Sequence, residues 1–283
     1  MKKIFFLIAV IIGSFLLIYA KSKSSFPEKL DFSGEVVPVS IPDVQERMDK
    51  ELVINQYLHG STILILKRAN KFFPLIEPIL AKNNIPDDFK YLCVIESSLT
   101  NATSSAGAKG FWQFMPQTAK ELGMEVNESV DERYNLEKAT EAACQYFLKA
   151  KERFGSWTMA AASYNGGMSG LQKQIEFQEA TNYYDLLLVE ETSRYVFRIL
   201  ALKEIMKNPP KYGFNLAPED LYARIPTKKI IVDSTITNLS TFAKSQGINY
   251  KELKLQNPWL RENKLTNTSN KTYTIEIPIK GAN

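Results

Sequence analysis

A single carboxylate, Glu96, closes an apolar run of helical character (Phe89, Leu92, Cys93, Ile95). A Ser/Gly loop follows, and then an aromatic turn ending in an amide, Gly110-Phe111-Trp112-Gln113. A carboxylic acid held against apolar and aromatic walls keeps its proton toward neutral pH, because desolvation disfavours the anion. Such a group can act as a general acid. Alone, a glutamate on an amphipathic helix is usually a solvated surface group, and Phe111 and Trp112 alone read as core. Asn165-Gly166-Gly167 alone is a turn. Their occurrence together with an apolar approach to Glu96 reverses that balance.

Other chemistries are narrowed by composition. The one histidine, His59, rules out a His-rich metal centre and is expected at the surface of a helix-to-helix loop. Cys93 and Cys144 are the only cysteines, each in an apolar helical stretch, and read as buried unpaired thiols. Net charge is +4, with 35 basic residues scattered among 31 acidic ones, unlike the clustered basic stripe of a nucleic-acid binder. Lys67, Arg68 and Lys71 form a basic helix face that reads as solvated. At 283 residues the chain has room for one sizeable core and a smaller module.

The elements that must position Glu96 are helical. Lys2 and Lys3 precede an uncharged run over 4–20, the plan of an export signal or retained anchor, so residues 1–25 are set apart. Proline-punctuated residues 26–42 read as an extended arm. Helical periodicity begins at Asp43 (Val44, Met48, Leu52, Val53, Tyr57). It continues over Thr62 to Ala69 after a break at Gly60-Ser61, and over Phe72 to Asn83 as a separate piece punctuated by Pro74 and Pro78. Ile85-Pro86-Asp87-Asp88 starts the helix that carries Glu96. Pro116 to Leu122, Leu136 to Phe154 (stopped by Gly155), Trp157 to Tyr164 and Glu190 to Lys207 complete a helical domain over 43–212, with no strand signal. Residues 213–283 change character. A β-branched run at Lys229 to Val232, two short helical patterns and an alternating Tyr273 to Ile277 give a small strand–helix–helix–strand module.

Three segments in this order carry a family resemblance: Glu96-Ser97-Ser98, then Ser104 to Gln113 (SSAGAKGFWQ), then Ala162 to Gly167 (ASYNGG). They resemble the motifs of lytic murein transglycosylases of the soluble, goose-lysozyme-like type. Glu191 to Val196 (ETSRYV) resembles a fourth element, found in the membrane-bound D subgroup. The closing module is similar to LysM peptidoglycan-binding domains, most clearly at Tyr250 to Leu260, and departs from them at Val232-Asp233-Ser234-Thr235.

The resemblance implies a mainly α, lysozyme-like catalytic domain followed by a LysM-like α+β module. It implies an exported enzyme of the cell envelope, periplasmic or anchored through residues 4–20, that cuts glycan strands of peptidoglycan. No cofactor, metal or nucleic acid is implied, and the oligomeric state is left open. Glu96 is the implied acid and then base. The 6-hydroxyl of N-acetylmuramic acid is the implied nucleophile, which gives a 1,6-anhydro product. By family position Ser104 holds the substrate, with the adjacent Ser105 as the alternative. Gln113 and Asn165 are expected to offer amides to the sugar, Tyr164 and Tyr195 to bond Glu96 or the sugar, and Phe111 and Trp112 to form apolar walls. The first three motif segments offer no acid besides Glu96, and Asp131 and Glu132 can be judged only in three dimensions. Hydrolases usually pair two carboxylates. A hydrolytic muramidase and a non-catalytic glycan clamp on the same fold remain the alternatives.

Overall fold

The computed structural model describes residues 26–279, so the basic and apolar segment expected over 4–20 lies outside the described residues. Among the described residues no helix is long and apolar enough to cross a membrane. The chain opens with a small antiparallel hairpin, β1 (Asp31–Phe32) and β2 (Glu35–Val36). Helices α1 (Pro42–Tyr57), α2 (His59–Lys82), α3 (Phe89–Ser97) and α4 (Pro116–Glu121) follow. Then come α5 (Leu136–Phe154), α6 (Trp157–Gly166), α7 (Met168–Gln178) and α8 (Glu190–Lys207). The closing module runs β3 (Thr227–Val232), α9 (Leu239–Ser245), α10 (Tyr250–Gln256) and β4 (Tyr273–Pro278). Its strands pair antiparallel from Thr227↔Pro278 to Val232↔Tyr273.

Local chemistry sets the ends of the helices that matter. Asn135 accepts from the Lys138 amide at the start of α5, and Gly155 ends that helix in the left-handed region at φ 70°. The Ser156 side chain accepts from the Met159 amide to open α6. Helix α8 is buried along most of its length, from Thr192 through Tyr195, Val196, Phe197 and Ile199 to Ile205. It packs against α1, α3 and α6. Below the future site lies an aromatic floor: Phe89 and Phe147 rings are 4.4 Å apart, Phe147 and Tyr164 5.2 Å, and Trp112 and Phe147 5.9 Å.

Several expectations are corrected. The chain breaks at Leu58, before Gly60-Ser61, and α2 runs unbroken through Pro74 and Pro78. Each proline removes one helical N–H. Both prolines are exposed and four residues apart, so they share a solvent-facing side, while Ile65, Leu66, Ala69, Ile76 and Leu80 stay buried. Packing therefore holds the helix through both. Helix α7 is an addition to the expected elements; its apolar stripe is short, with Leu171 buried and Met168 and Ile175 partly buried against the core. His59 is exposed as expected, and its ring stacks on Phe214 at 4.8 Å. Both cysteines are buried and free.

The extended arm is instead a strap built on the hairpin. Phe32 is fully buried against Phe89, ring centroids 5.2 Å apart. The Lys203 ammonium of α8, itself buried, donates to Asp88 (2.6 Å) and to the Asp31 carbonyl (2.7 Å), and the Ser33 amide donates to Asp88 (2.7 Å). At the hairpin tip the Glu35 carboxylate accepts from the Trp157 amide (2.6 Å), the Thr158 amide (2.9 Å) and the Ser156 and Thr158 hydroxyls (2.7 Å each). A carboxylate from a distant strand thus caps the start of α6, where the helix dipole favours negative charge.

Burial pushes the Glu35 carboxyl up, but these hydrogen bonds outweigh it and hold the group below its ordinary value. Its stabilisation is therefore complete above the ordinary carboxylate range and is lost as pH falls through the depressed folded value. Glu35→Ala is expected to cost about 1–2 kcal/mol at neutral pH, the scale of a lost N-cap. Urea unfolding of both proteins tests this, with the gap narrowing in acid. Equal midpoints at neutral pH would show that the strap does not anchor α6.

Candidate active site

Glu96 sits in the last turn of α3, whose residues from Phe89 to Ile95 are all buried. The chain then turns sharply: Ser98 and Leu99 both take left-handed backbone, at φ 51° and 56°. Non-glycine residues in this region are costly and persist only when their surroundings fix them. Here Leu99 is buried, and Arg68 of α2 donates to the Ser98 carbonyl at 3.1 Å.

The glutamate itself is half-buried. Burial raises its carboxyl from the ordinary value to about 7. Two α8 groups oppose the rise: the Tyr195 hydroxyl, which donates to Glu96 Oε1, and the Arg198 charge. Glu191, also on α8, adds a like charge that pushes the same way as burial. Tyr195 is buried, and its phenol is held far above its ordinary value by burial and then by the Glu96 charge, so it stays a donor. Arg198 also donates to the Ile95 carbonyl at 3.3 Å, which ties the guanidinium to the end of α3.

The other expected residues divide into those at the site and those beneath it. Tyr164 donates to the Trp112 carbonyl at 2.7 Å rather than to Glu96. Its phenol is raised by burial and by the nearby Glu96 charge. Asn165 is half-buried at the end of α6. It donates to Glu191 (3.2 Å) and accepts from the Thr192 hydroxyl (2.8 Å), so α6 and α8 are joined beside Glu96. The Ser104 hydroxyl accepts from the Ala108 amide at 3.0 Å and keeps its own proton available to donate; Ser105 is exposed.

Three expectations change. Trp112 has no exposed surface; its indole N–H bonds the Thr140 hydroxyl at 2.9 Å. Phe111 is buried, its ring 4.7 Å from that of Phe72. Both form the floor under the site and neither can form a wall that touches sugar. The Gln113 amide nitrogen is engaged by Gly110 O (2.7 Å) and Ala102 O (3.1 Å), so it braces its own loop instead of offering that donor to a ligand. Asp131 and Glu132 are excluded as a second catalytic acid: Asp131 is buried in a bidentate pair with Arg133 and Glu132 accepts from the Glu125 amide.

Arg198, Glu191 and Thr192 were not singled out individually by the sequence. Their signal was spacing: Glu191, Tyr195 and Arg198 follow a four-then-three step that puts all three on one helix face.

A half-buried acid of raised pKa, at the end of a short helix and held by a tyrosine from a long central helix, has the properties that general-acid catalysis requires. In agreement, residues 74–187 match the transglycosylase SLT domain, and residues 228–281 match the soluble lytic transglycosylase C-terminal LysM-like domain. The chain thus carries an SLT transglycosylase domain followed by a LysM-like domain. It is similar to membrane-bound lytic murein transglycosylase D of Escherichia coli, in strains K12 and O6:H1, at 30% identity over 235 residues. That alignment covers 80% of this chain and 50% of the relative. A protein of Alteromonas sp. (strain M-1) named for tributyltin chloride resistance is 30% identical over 121 residues, 42% of this chain and 58% of that protein. The chain spans about half the length of its Escherichia coli relatives.

The raised carboxyl predicts a pH signature in stability. The folded state holds the Glu96 proton up to about 7 while the unfolded chain releases it at the ordinary value, so folding loses stability as pH rises between the two. Glu96→Gln removes that loss and is expected to be the more stable protein above pH 7, by roughly 3 kcal/mol at most, with little difference in acid. Thermal melts of both proteins across this range decide it. A constant gap at all pH values would mean that Glu96 titrates normally.

Proposed function

We propose that this protein is a peptidoglycan lytic transglycosylase. It cleaves the β-1,4 bond between N-acetylmuramic acid and N-acetylglucosamine and leaves 1,6-anhydro-muramic ends. The observation that carries the reading is Glu96, an acid poised near neutrality at the end of α3 within the segment that matches an SLT domain. A pKa of about 7 suits a group that must give a proton and then take one.

In this reaction Glu96 donates its proton to the glycosidic oxygen, and the bond from that oxygen to the muramic anomeric carbon breaks. The 6-hydroxyl oxygen of the same sugar bonds to the anomeric carbon and passes its proton to the Glu96 carboxylate. The acid is restored and no water is consumed. Tyr195 and Arg198 stabilise the carboxylate formed midway, while burial favours its return to the acid. Ser104, or its neighbour Ser105, and Asn165 are the polar groups proposed to orient the saccharide. Residues 4–20 would deliver the enzyme to the cell envelope, either as a removed export signal or as an anchor. The similarity to murein transglycosylase D over 80% of the chain supports the substrate class.

Product analysis of purified murein is the test. Wild-type protein should release 1,6-anhydro-muropeptides, and Glu96→Gln should lose at least about 100-fold of that rate, the scale of general acid–base catalysis. Reducing muramic ends in place of anhydro ends would assign a hydrolase. Unchanged cleavage by Glu96→Gln would remove Glu96 from the chemistry.

Tyr195→Phe offers a finer check. Losing the hydroxyl donor destabilises the carboxylate, so the Glu96 pKa should rise above about 7 and the alkaline limb of the pH–rate profile should move to higher pH. An unmoved alkaline limb would count against this pair.

A further inference from the structure

The LysM-like module does not hang free. Its loop after α10 continues a backbone ladder with the segment between α4 and α5: the Asp131 amide donates to Trp259 O (2.9 Å) and the Arg261 amide to Ser129 O (2.9 Å). Side chains extend this seam. Lys271 (2.6 Å) and the Tyr273 hydroxyl (3.0 Å) donate to Glu125, Ser129 donates to Glu262, and Lys229 pairs with Glu137 at 2.8 Å. Val130 and Tyr134, which precede α5, are buried in the module's core with Leu260, Leu265 and Ile275. The Arg261 guanidinium lies 4.2 Å from the centre of the Tyr134 ring.

The same segment grips the substrate loop from its other side. Tyr134 shares a 3.0 Å hydrogen bond with Thr103. The buried Arg133 donates to the carbonyls of Gly107 (3.2 Å) and Phe114 (3.1 Å), at two points of the loop that holds Ser104, Ser105 and Gln113. Gly110, at φ 82°, is so close that a Cβ there would lie 1.8 Å from Arg133 O. Two successive contacts therefore connect the module to the loop that carries Ser104 and Ser105.

We propose that the LysM-like module is a positioning element of the catalytic site: by clamping residues 125–134 it fixes the 103–114 loop in register with Glu96. This rests on the functional reading above. A module that only tethers the enzyme to the wall would leave the turnover of short soluble glycans untouched. A positioning module would not, because a small misplacement of groups that orient the substrate lowers the rate even when the chemistry is intact.

A charge exchange across the seam in the full-length protein tests this. Glu125→Lys sets two ammonium groups against each other at Lys271. It should lower kcat/KM on a soluble muropeptide tetrasaccharide by about 10-fold, within the range seen for remote misplacement. The double variant Glu125→Lys/Lys271→Glu should recover most of that loss. Arg261→Met, at an exposed position, should reduce turnover in the same direction with no change in melting temperature. Retention on sacculi, measured in a Glu96→Gln background, should be the same for all of them. If wild-type protein cleaves the tetrasaccharide but Arg261→Met and the exchange series match it, or if the double variant fails to recover, the positioning role is overturned. If wild-type protein cleaves no murein substrate at all, the failure lies with the proposed activity.

Discussion

The contact on which the site depends is that between the Tyr195 hydroxyl and Glu96. Left to burial alone, the carboxyl would hold its proton more firmly and be a poorer donor. Left in water, it would have no proton to give at neutral pH. Tyr195 and Arg198 stabilise the anion while burial and Glu191 destabilise it, and the balance falls at about 7. Because the opposing groups all come from α8, the register between α3 and α8 decides the acidity of the site. A rotation of either helix would change the chemistry before it changed the fold.

That register is fixed by polar groups that have little freedom to move. Lys203 lies two turns beyond Tyr195 on α8 and is buried against Asp88, just before the start of α3. An ammonium taken out of water needs its partners in place, and breaking such a pair costs far more than the pair contributes. The hairpin closes this arrangement from outside: Asp31 completes the lysine's partners and Glu35 caps α6, the helix that carries Tyr164 and Asn165. The three helices that carry the site are thus referenced to one short strap near the start of the described chain.

The sequence revealed the parts of this arrangement that depend on local rules. The ends of α5 and α8, the start of α3 and the order of elements in the closing module all follow from caps, prolines and apolar spacing. Glu96 was legible because an apolar run leads directly into it. What stayed hidden depends on tertiary contacts. Pro74 and Pro78 look like breaks until packing of the opposite face of α2 is known. Trp112 and Phe111 belong to a motif, and only the fold shows that they lie under the loop instead of on it. The role of Glu35 could not be read locally, since its partners are more than 120 residues away.

Three of the seven described non-glycine residues with left-handed backbone lie in the segment that follows Glu96. Ser98, Leu99 and Gln113 each occupy the left-handed region, at a cost on the order of 1–3 kcal/mol apiece for non-glycine residues. Strain of this kind survives only where surrounding contacts over-determine it. Arg68 secures the first, burial the second, and the bonds from Gln113 to its own loop the third. These residues bracket the two ends of the segment between the acid and the aromatic turn. In the reaction proposed for Glu96, with Glu191 acting on it only as a neighbouring like charge, much of the rate would come from placement of the sugar. The molecule meets that demand with a strained, doubly braced loop, and the same logic explains why Arg133 and Tyr134 reach into it from a segment that the closing module also holds.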